Sequence, residues 1–321
     1  MRLASFDHEG QTLAGVVVDD QVHPFPSGTT VLSLVQQGLA AALDAGEKAQ
    51  STSAAIPLTA VRLAPPLLPP SIRDFITFEQ HVEGALRAVV KDATIPAEWY
   101  DAPAFYFTNP HALIGATDDV QMPPDCGQLD FELEVAAVLG GDGRDVGVDA
   151  AADLLFGYTI FNDWSARDLQ RREMKVGLGP CKGKDFASTL GPWIVTADEL
   201  SDRCGAEGRL DLAMSVEVNG VLVGSDKLSS MAWSFPELLA YAARGAWVRA
   251  GDVLGSGTCG NGCLAERWGR DADQTPASLQ VGDVVRMTVE GLGAIENRVI
   301  QGSPAVHIPR ARRNVPSERQ Q

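Results

Sequence analysis

The stretch LDFELEVAAVLG, residues 129–140, begins with a strict alternation of apolar and acidic side chains. Because successive side chains of a strand point to opposite faces, Asp130, Glu132 and Glu134 share one face and the apolar residues share the other. From Ala136 onward both faces are apolar, which predicts a strand that continues into a core and is buried on both sides. The carboxylates of Glu132 and Glu134 therefore point the same way, with Cβ atoms roughly 7 Å apart.

Residues 1–65 have the pattern of a small β-rich unit. The first part predicts three strands separated by short turns, and the segment from Thr30 to about Ala45 has the apolar period of a helix. Prolines crowd residues 64–70, which favours a domain boundary there. We therefore predict a small N-terminal domain over 1–65, a larger domain over 70–308 and a disordered tail over 309–321.

The larger unit mixes helical and strand patterns. It opens with a predicted helix whose apolar stripe begins at Phe75, with His81 beside the stripe. Further along, Asn219-Gly220 between two alternating segments predicts a hairpin, and Ser234 is a predicted helix cap. Strand patterns outnumber helical ones in this unit, so we predict an α+β, β-rich fold.

A further carboxylate is predicted at the end of the next strand. Asp149 can cap a short helix that runs through Phe156. The segment YTIFN, residues 158–162, then has the pattern of a strand, and Asp163 stands at its end.

The segment after Asp163 predicts a helix with polar groups of a different kind. Ser165 can cap this helix, and Arg167 and Gln170 share one of its faces. An acidic pair alone is more typical of a solvated strand face, but like charges in a partly buried place need compensation. Three carboxylates beside an arginine and a glutamine predict a site for a divalent cation and an anion, and oxygen ligands suit Mg²⁺, Ca²⁺ or Mn²⁺.

Composition and charge narrow the possible partners. The chain has 321 residues, 45% of them hydrophobic and 21% charged, as in an ordinary globular protein. A formal net charge of −16 argues against nucleic acid or an anionic membrane as the main partner, although a local cation can still attract a small anionic substrate. No apolar run approaches the roughly 18 residues of a membrane-spanning helix. Asp7 and Glu9 stand where a secretion signal would be basic and then apolar, so we predict a cytoplasmic protein.

Cysteines and histidines add no recognisable motif. The cysteines are odd in number and scattered, which argues against a disulfide framework. Cys259 and Cys263 lie close in the sequence but have no second pair, so their spacing does not predict a zinc site. A lone histidine beside an apolar stripe, as His81 is, is most often a packed core residue.

Four segments carry a family resemblance: GQLDFELEVAAVLG, FNDWSARDLQ, GPCKGKDF and GDVLGSGT. With these segments in the family's order, the chain resembles the fumarylacetoacetate hydrolase superfamily over about residues 70–300. The resemblance implies a mixed β-sandwich roll as the catalytic unit, a smaller N-terminal domain and a homodimer. It also implies a bound Mg²⁺ (or Ca²⁺ or Mn²⁺) and cleavage of a C–C bond in a β-diketo or acylpyruvate-type acid, a reaction of aromatic catabolism.

The resemblance assigns metal ligands residue by residue. Glu132, Glu134 and Asp163 resemble the family's metal ligands. Asp74 resembles the fourth ligand of the fumarylacetoacetate hydrolase branch. Such a set can hold a hard cation and still leave positions for substrate or water.

The resemblance also implies catalytic and substrate-binding roles. His81 resembles the general base, and Glu266 resembles the carboxylate that orients it. Gln170 and Lys184 suit developing oxyanions, and Arg167 suits a substrate carboxylate. The residues that resemble the substrate-contacting set are Arg167, Gln170, Lys184, Thr258 and Tyr106.

Two departures from the family pattern leave the substrate open. Ile76 stands where the fumarylacetoacetate hydrolase branch has a tyrosine, and Gly84 removes the His-x-x-Glu of the acylpyruvase branch. A C–C hydrolase is the function that His81 and Glu266 favour. A 2-oxo acid decarboxylase, a hydratase or an isomerase would use the same metal ligands without activating water. A binding protein on a retired enzyme scaffold would have no reason to keep the full ligand set.

Overall fold

A computed structural model describes residues 1–89, 93–205, 207–270 and 275–312. Residues 313–321 of the predicted disordered tail lie outside this described part. The strands are β1 (Arg2–His8), β2 (Gln11–Val18), β3 (Gln21–Pro24), β4 (Ile56–Pro57), β5 (Arg62–Ala64), β6 (Ile72–Phe75), β7 (Phe105–Thr108), β8 (Leu113–Ile114), β9 (Val120–Gln121), β10 (Leu129–Asp130), β11 (Leu133–Leu139), β12 (Leu155–Asp163), β13 (Ser165–Ala166), β14 (Ser188–Thr196), β15 (Ala213–Val218), β16 (Val221–Lys227), β17 (Val253–Gly255), β18 (Val284–Val289) and β19 (Gly293–Ile300).

The helices are shorter elements placed between the strands. Among the described residues, no helix combines the length and apolar character needed to cross a membrane. The α-helices are α1 (Val31–Gln37), α2 (Leu39–Thr52), α3 (Glu79–Val89), α4 (Val148–Ala152), α5 (Arg167–Met174), α6 (Phe235–Ala242) and α7 (Leu264–Arg270). The 3₁₀ helices span Leu58–Ala60, Ala97–Tyr100, Pro110–Ala112, Ala197–Arg203 and Leu228–Ser230.

The N-terminal strands form as the sequence predicts, with β1, β2 and β3 in an antiparallel meander. The predicted single helix from Thr30 to about Ala45 is instead the pair α1 and α2. Gly38, with φ 91°, separates them, and α2 extends to Thr52. Thr30 caps α1 by accepting a hydrogen bond from the backbone N–H of Ser33.

Two mixed sheets make up most of the molecule, which confirms the predicted α+β, β-rich fold. The larger sheet has the order β4-β3-β2-β1-β14-β12-β11-β17-β6-β7, with β5 beside β1 and β8 beside β14. The N-terminal meander joins this sheet where β1 pairs with β14. A second sheet has the order β16-β15-β18-β19-β9, and β10 and β13 form a separate short ladder.

Strand β11 is buried on both faces, as its apolar pattern predicts. Val135 belongs to a buried cluster that includes Val216 and Met287 of the second sheet. Ala136 belongs to another cluster that includes Val35 of α1. The acidic residues at the start of β11 therefore sit at the entrance to a strand that lies deep in the core.

Three local predictions are wrong because tertiary pairing overrides local patterns. Phe75 ends strand β6 and does not lie in the following helix. Asp149 lies in the first turn of α4, whose N-cap is Gly147, and Phe156 already belongs to β12 because β12 extends along β11. Ser165 does not cap α5, because it lies in the β10–β13 ladder.

Candidate active site

Strand ends of the larger sheet bring four acidic side chains to one place. Asp74 lies on β6, Glu134 on β11 and Asp163 at the end of β12, while Glu132 directly precedes β11. Strand β17 separates β6 from β11, and its residue facing the carboxylates is Gly255. A Cβ atom at Gly255 would lie 2.7 Å from Asp74 Oδ1 and 3.1 Å from Glu134 Oε2. The missing side chain therefore lets the two carboxylates meet across β17.

The carboxylate oxygens have the spacing of ligands to a shared cation. One oxygen from each of Asp74, Glu132 and Glu134 lies within 4.8 Å of the others. Ligands about 2.1–2.5 Å from a common ion lie within roughly 5 Å of one another. Asp74 Oδ1, Glu134 Oε1 and Asp163 Oδ1 are buried without a hydrogen-bond partner among the described residues. These residues fit a hard divalent cation, since such an ion would satisfy the buried oxygens.

The pKa values of Asp74 and Glu134 also indicate that the two carboxylates lack a compensating positive charge. Burial, and after it the negative charge of nearby carboxylates, raises the pKa of both groups well above the usual range. Burial also raises the pKa of Asp163, although Lys184 partly offsets the effect. Within the described part of the chain, neither Asp74 nor Glu134 forms a salt bridge. A divalent ion would favour the charged form of both groups.

Glu132 differs from its neighbours because two cations contact it. Lys184 Nζ donates hydrogen bonds to Glu132 and Asp163, and Arg167 Nη2 lies 2.7 Å from Glu132 Oε1. Burial would raise the pKa of Glu132, but Lys184 and Arg167 outweigh burial and the pKa is lowered. Burial likewise works to lower the pKa of Lys184, and the carboxylates of Asp163 and Glu132 raise it instead. Glu132 and Lys184 are therefore both charged at neutral pH.

The loop that carries Lys184 reaches the site by packing closely on α5. A Cβ atom at Gly183 would lie 2.8 Å from the backbone nitrogen of Gln170. The carbonyl of Gly183 accepts a 2.8 Å hydrogen bond from Ala166, just before the helix. Gly183, which has no side chain, thus allows Lys184 to approach the carboxylates.

Arg167 and Gln170 share a face of α5, as predicted. Arg167 Nη1 donates to Gln170 Oε1 at 3.1 Å, and Nε donates to Asp130 Oδ2 at 2.8 Å. Nη2 faces the carboxylates of Asp130 and Glu132. The hydrogen bonds thus use Nε and one N–H of Nη1, while Nη2 makes ion-pair contacts and has no hydrogen-bond partner among the described residues. They also hold Gln170 with its amide oxygen toward Arg167, and its NH₂ group donates to no other residue in the described part of the chain.

Asp130 has a positioning role that sequence reasoning missed. Its Oδ1 accepts from the N–H of Leu264 at 2.8 Å and its Oδ2 from the N–H of Ala265 at 2.9 Å, so it caps α7. The same carboxylate pairs with Arg167, and α7 carries Glu266. Asp130 thus connects Arg167 on α5 with α7. The only sequence signal was its place in the acidic alternation, because its α7 partners are 134 and 135 positions away.

His81 on α3 and Glu266 on α7 are both buried and face each other. His81 Nδ1 lies 3.6 Å from Glu266 Oε2, within ion-pair range and slightly beyond a hydrogen bond. Glu266 also accepts from the N–H of Asn261 at 2.7 Å and pairs with Arg270. The two helices approach closely because a Cβ atom at Gly84 would lie only 2.3 Å from Glu266 Cγ.

Tyr106 and Thr258 complete the predicted set. Tyr106, on β7, donates its hydroxyl hydrogen to Asp163, and burial together with the charge of Asp163 raises its pKa. Tyr106 therefore keeps its proton at neutral pH. Thr258 is buried beside Gly257, whose N–H donates to Glu134 Oε2 at 2.9 Å.

The histidine and the carboxylates form one continuous site. A donor atom of His81 lies within 4.8 Å of a Glu132 oxygen and of the sulfur of Cys263. Sequence reasoning assigned no role to Cys263. Glu132 is therefore shared between the carboxylate group and the histidine.

The sequence profile of the fumarylacetoacetate (FAA) hydrolase C-terminal family matches residues 72–300. The chain belongs to the fumarylacetoacetate hydrolase family. The resemblance noted from the four sequence segments is confirmed, and the matched range contains all the predicted site residues. The family membership therefore applies to the part of the chain that builds the site.

Two relatives illustrate the range of activities among similar proteins. The chain is 29% identical over 238 residues to a fumarylacetoacetase of Dictyostelium discoideum, covering 60% of this chain and 56% of that protein. It is also 29% identical over 246 residues to the oxaloacetate tautomerase YisK of Bacillus subtilis, covering 75% of this chain and 74% of that protein. The chain thus spans little more than half of the fumarylacetoacetase that it matches.

Solved structures share the fold over nearly the whole chain. A fumarylacetoacetate hydrolase from Exiguobacterium antarcticum is similar with a TM-score of 0.75 and 25% identity, covering 94% of this chain and 100% of that one. A maleylpyruvate hydrolase from Sphingobium sp. SYK-6, in complex with manganese(II) ion and pyruvate, has a TM-score of 0.70 and 24% identity, covering 94% of this chain and 100% of that one. The chain therefore belongs to a family of enzymes in which hydrolases and tautomerases both occur.

Proposed function

We propose that this protein is a divalent-metal-dependent hydrolase that cleaves a C–C bond in a β-diketo acid of the fumarylacetoacetate or acylpyruvate type. The observation that carries the proposal is that Glu132 lies next to two sets of side chains with different chemistry. Carboxylate oxygens without partners lie on one side, and the buried His81–Glu266 pair lies on the other. Hydrolysis of a β-diketone needs both a Lewis acid and an activated water, whereas tautomerisation needs no water.

In this proposal Asp74, Glu132, Glu134 and Asp163 hold the cation. An all-oxygen set favours Mg²⁺, with Mn²⁺ or Ca²⁺ as alternatives. When bound, the ion would polarise the attacked carbonyl and neutralise negative charge that develops on the substrate. The manganese and pyruvate complex of the similar maleylpyruvate hydrolase supports a divalent ion in this fold.

His81 and Glu266 act on the water. His81 takes a proton from a water molecule as the oxygen of that water bonds to a carbonyl carbon, and Glu266 holds the ring and stabilises the imidazolium. The C–C bond then breaks, and its electron pair stays on the carbon that lay between the two carbonyls. The proton on His81 is returned to that carbon. The products are a carboxylic acid and a ketone or 2-oxo acid.

The remaining donors of the site suit the developing negative charge. Lys184 uses two N–H groups on Glu132 and Asp163 and keeps a third, and Gln170 keeps its NH₂ group. These donors are pre-oriented, as oxyanion stabilisation requires. Arg167 is held beside Asp130 and Glu132, and its Nη2 has no hydrogen-bond partner among the described residues, so we assign it a positive charge and hydrogen bonds to a substrate carboxylate.

The wider biological setting is also proposed from the family resemblance. We propose a homodimer that acts on a small anionic substrate in aromatic catabolism, with Tyr106 and Thr258 in contact with that substrate. The division into an N-terminal domain over 1–65 and a catalytic domain over 70–308 belongs to the same proposal.

Turnover on a substrate panel tests the proposed reaction. Fumarylacetoacetate, acetylpyruvate, fumarylpyruvate and oxaloacetate are each incubated with the protein and Mg²⁺. We expect loss of the diketone absorbance of at least one diketo acid, with one carboxylic acid and one ketone or 2-oxo acid formed per substrate. A chelator should abolish this turnover, and Glu134→Gln should reproduce the effect of the chelator. Absence of hydrolysis on the diketo acids with Mg²⁺ bound would contradict the proposal.

The second candidate is a tautomerase or decarboxylase of a 2-oxo acid. The match to an oxaloacetate tautomerase over 75% of this chain favours it. The oxaloacetate arm of the panel separates the candidates. Enol–keto exchange or carbon dioxide release from oxaloacetate, without hydrolysis of any diketo acid, would replace the hydrolase by this candidate.

A further inference from the structure

A second group of donor atoms lies beside the carboxylates, and its chemistry is different. His81, Glu132 and Cys263 are all buried, and one donor atom from each lies within 4.8 Å of the others. His81 Nδ1 is 3.7 Å from Cys263 Sγ. Tetrahedral metal bonds of about 2.0–2.3 Å place neighbouring donor atoms roughly 3.3–3.8 Å apart. The histidine and cysteine already have this separation, and a glutamate oxygen lies within 4.8 Å of both donor atoms.

The identity of the donors decides which ion would bind. A thiolate, an imidazole and a carboxylate together suit a soft or borderline ion such as Zn²⁺ or Cd²⁺, whereas Mg²⁺ and Ca²⁺ take oxygen ligands. Binding needs no co-reactant, because the ion replaces the thiol proton, which leaves to solvent. The spacing of Cys259 and Cys263 in the sequence argues only against a metal site that uses both thiols. The group of His81, Glu132 and Cys263 uses a single thiol.

We propose that His81, Cys263 and Glu132 form a thiolate-containing site for a soft divalent cation, Zn²⁺ or Cd²⁺, beside the oxygen site of Asp74 and Glu134, with which it shares Glu132. Occupancy uses a nitrogen lone pair of His81 and an oxygen of Glu132. A soft cation at this site therefore inhibits the hydrolase even when Mg²⁺ is in excess. The inhibition rests on the proposed function of His81, but the binding of the cation does not.

Cadmium binding tests the site directly. The full-length protein, saturated with Mg²⁺, is titrated with Cd²⁺ while the ultraviolet charge-transfer band of cadmium thiolate is recorded. Cys259→Ser is the matched control for Cys263→Ser, because both thiols are free, fully buried and in the same segment. We expect the wild type and Cys259→Ser to show, above the background, a component of the band that corresponds to one ion per chain, and Cys263→Ser to lack this component. The other cysteines contribute the same background to all three proteins.

A second variant keeps the test decisive if Cys263→Ser is unstable. His81→Gln retains the thiol but removes the nitrogen ligand. The Cd²⁺ concentration needed to saturate the band should therefore rise by at least about tenfold. Persistence of the one-ion component in Cys263→Ser, its loss in Cys259→Ser alone, or an unchanged titration of His81→Gln would each overturn the proposed site.

Zinc inhibition separates the site from the proposed function. With Mg²⁺ in excess, we expect Zn²⁺ to inhibit the wild type and Cys259→Ser at concentrations at least about tenfold below those that inhibit Cys263→Ser. Cadmium binding as predicted without zinc inhibition would uphold the site and contradict the role of His81 as general base.

Discussion

Glu132 directly precedes β11 and Glu134 lies on it; both are buried glutamates, and their pKa values move in opposite directions. The difference lies in what surrounds each carboxylate. Lys184 and Arg167 contact Glu132, whereas Glu134 faces the carboxylate of Asp74. Glu132 is therefore a charged anchor even without metal, and Glu134 is the group whose charge depends on a bound cation.

The exchange Glu134→Gln is expected to change the pH dependence of stability in the metal-free protein. A carboxyl group with a raised pKa in the folded state contributes stability that is full below its unfolded pKa, about 4.3, and is lost as the pH rises through the folded pKa. The free energy of unfolding of the wild type should therefore fall relative to that of Glu134→Gln as the pH rises above about 4.3. Urea denaturation in the presence of a chelator measures both curves. Parallel curves would mean that the pKa of Glu134 is not raised.

His81→Ala tests the proposed general base. Removing a positioned base typically slows a reaction by about 10²–10⁴-fold, so hydrolysis should fall by that factor. Mg²⁺ affinity should change little, because the carboxylate ligands remain in place. Calorimetric Mg²⁺ titration is the control for this point. Hydrolysis at the wild-type rate in His81→Ala would remove the histidine from the mechanism.

Asp130→Asn tests the link between Arg167 and α7. The exchange leaves a buried guanidinium with one anionic partner fewer, which should lower the free energy of unfolding by about 3 kcal/mol. Glu296→Gln is the matched control, because it breaks a half-exposed pair with Arg286 and should change stability by less than about 1 kcal/mol. Chemical denaturation measures both variants. Equal changes in the free energy of unfolding would show that Asp130 does not hold Arg167 and α7 together.

At the residue scale, the sequence predicts which nearby side chains share a face better than it predicts contacts with distant parts of the chain. The acidic alternation places Glu132 and Glu134 side by side correctly, and helical spacing places Arg167 beside Gln170. The neighbourhood of His81 and Cys263 could not be derived in this way. It depends on the packing of α3 against α7, and no local pattern encodes that contact.

Elements of secondary structure are held in the site by small residues at their contacts. Helices α3 and α7 carry His81 and Glu266, and Gly84 is the point at which the two helices meet. A glycine weakens a helix by roughly 1 kcal/mol relative to alanine. In this position it provides room for the Glu266 side chain.

Gly84→Ala is therefore expected to displace Glu266 although alanine favours the helix. The added Cβ atom would lie 2.3 Å from Glu266 Cγ, too close for contact. We expect hydrolysis to fall by about tenfold or more while Mg²⁺ affinity is kept. Gly147→Ala is the control, because its Cβ atom would meet nothing within 4 Å. Turnover of Gly84→Ala equal to that of Gly147→Ala would contradict the proposed positioning of Glu266.

Sequence patterns predict elements well where local chemistry alone decides them. The hairpin at Asn219-Gly220 forms with φ angles of 53° and 76°, as such a dipeptide favours. The cap predicted at Ser165 fails because the same residue pairs with Asp130 in the β10–β13 ladder. A capping pattern is read within a few residues, and a ladder partner can lie anywhere in the chain.

The whole molecule assembles the site from distant parts of the chain. β6, β11 and β12 supply the carboxylates, and β17, from much later in the sequence, lies between β6 and β11. Periodicity predicts that these strands exist, but their order in the sheet comes from contacts between segments far apart. The local patterns therefore predict a β-rich fold, whereas its mixed β-sandwich roll is implied by the resemblance to a known family. The predicted N-terminal domain also shares the larger sheet through β1 and β14.

The most direct test of the central claim is the binding of Mn²⁺ to the carboxylate group. Electron paramagnetic resonance of free Mn²⁺ gives the number of bound ions and their affinity, and Mg²⁺ can be added as a competitor. We predict one ion per chain that Mg²⁺ displaces, an affinity lowered by at least about tenfold in Glu134→Gln, and an unchanged affinity in Glu296→Gln. Absence of binding to the wild type, or equal binding to Glu134→Gln, would contradict a metal centre at these carboxylates.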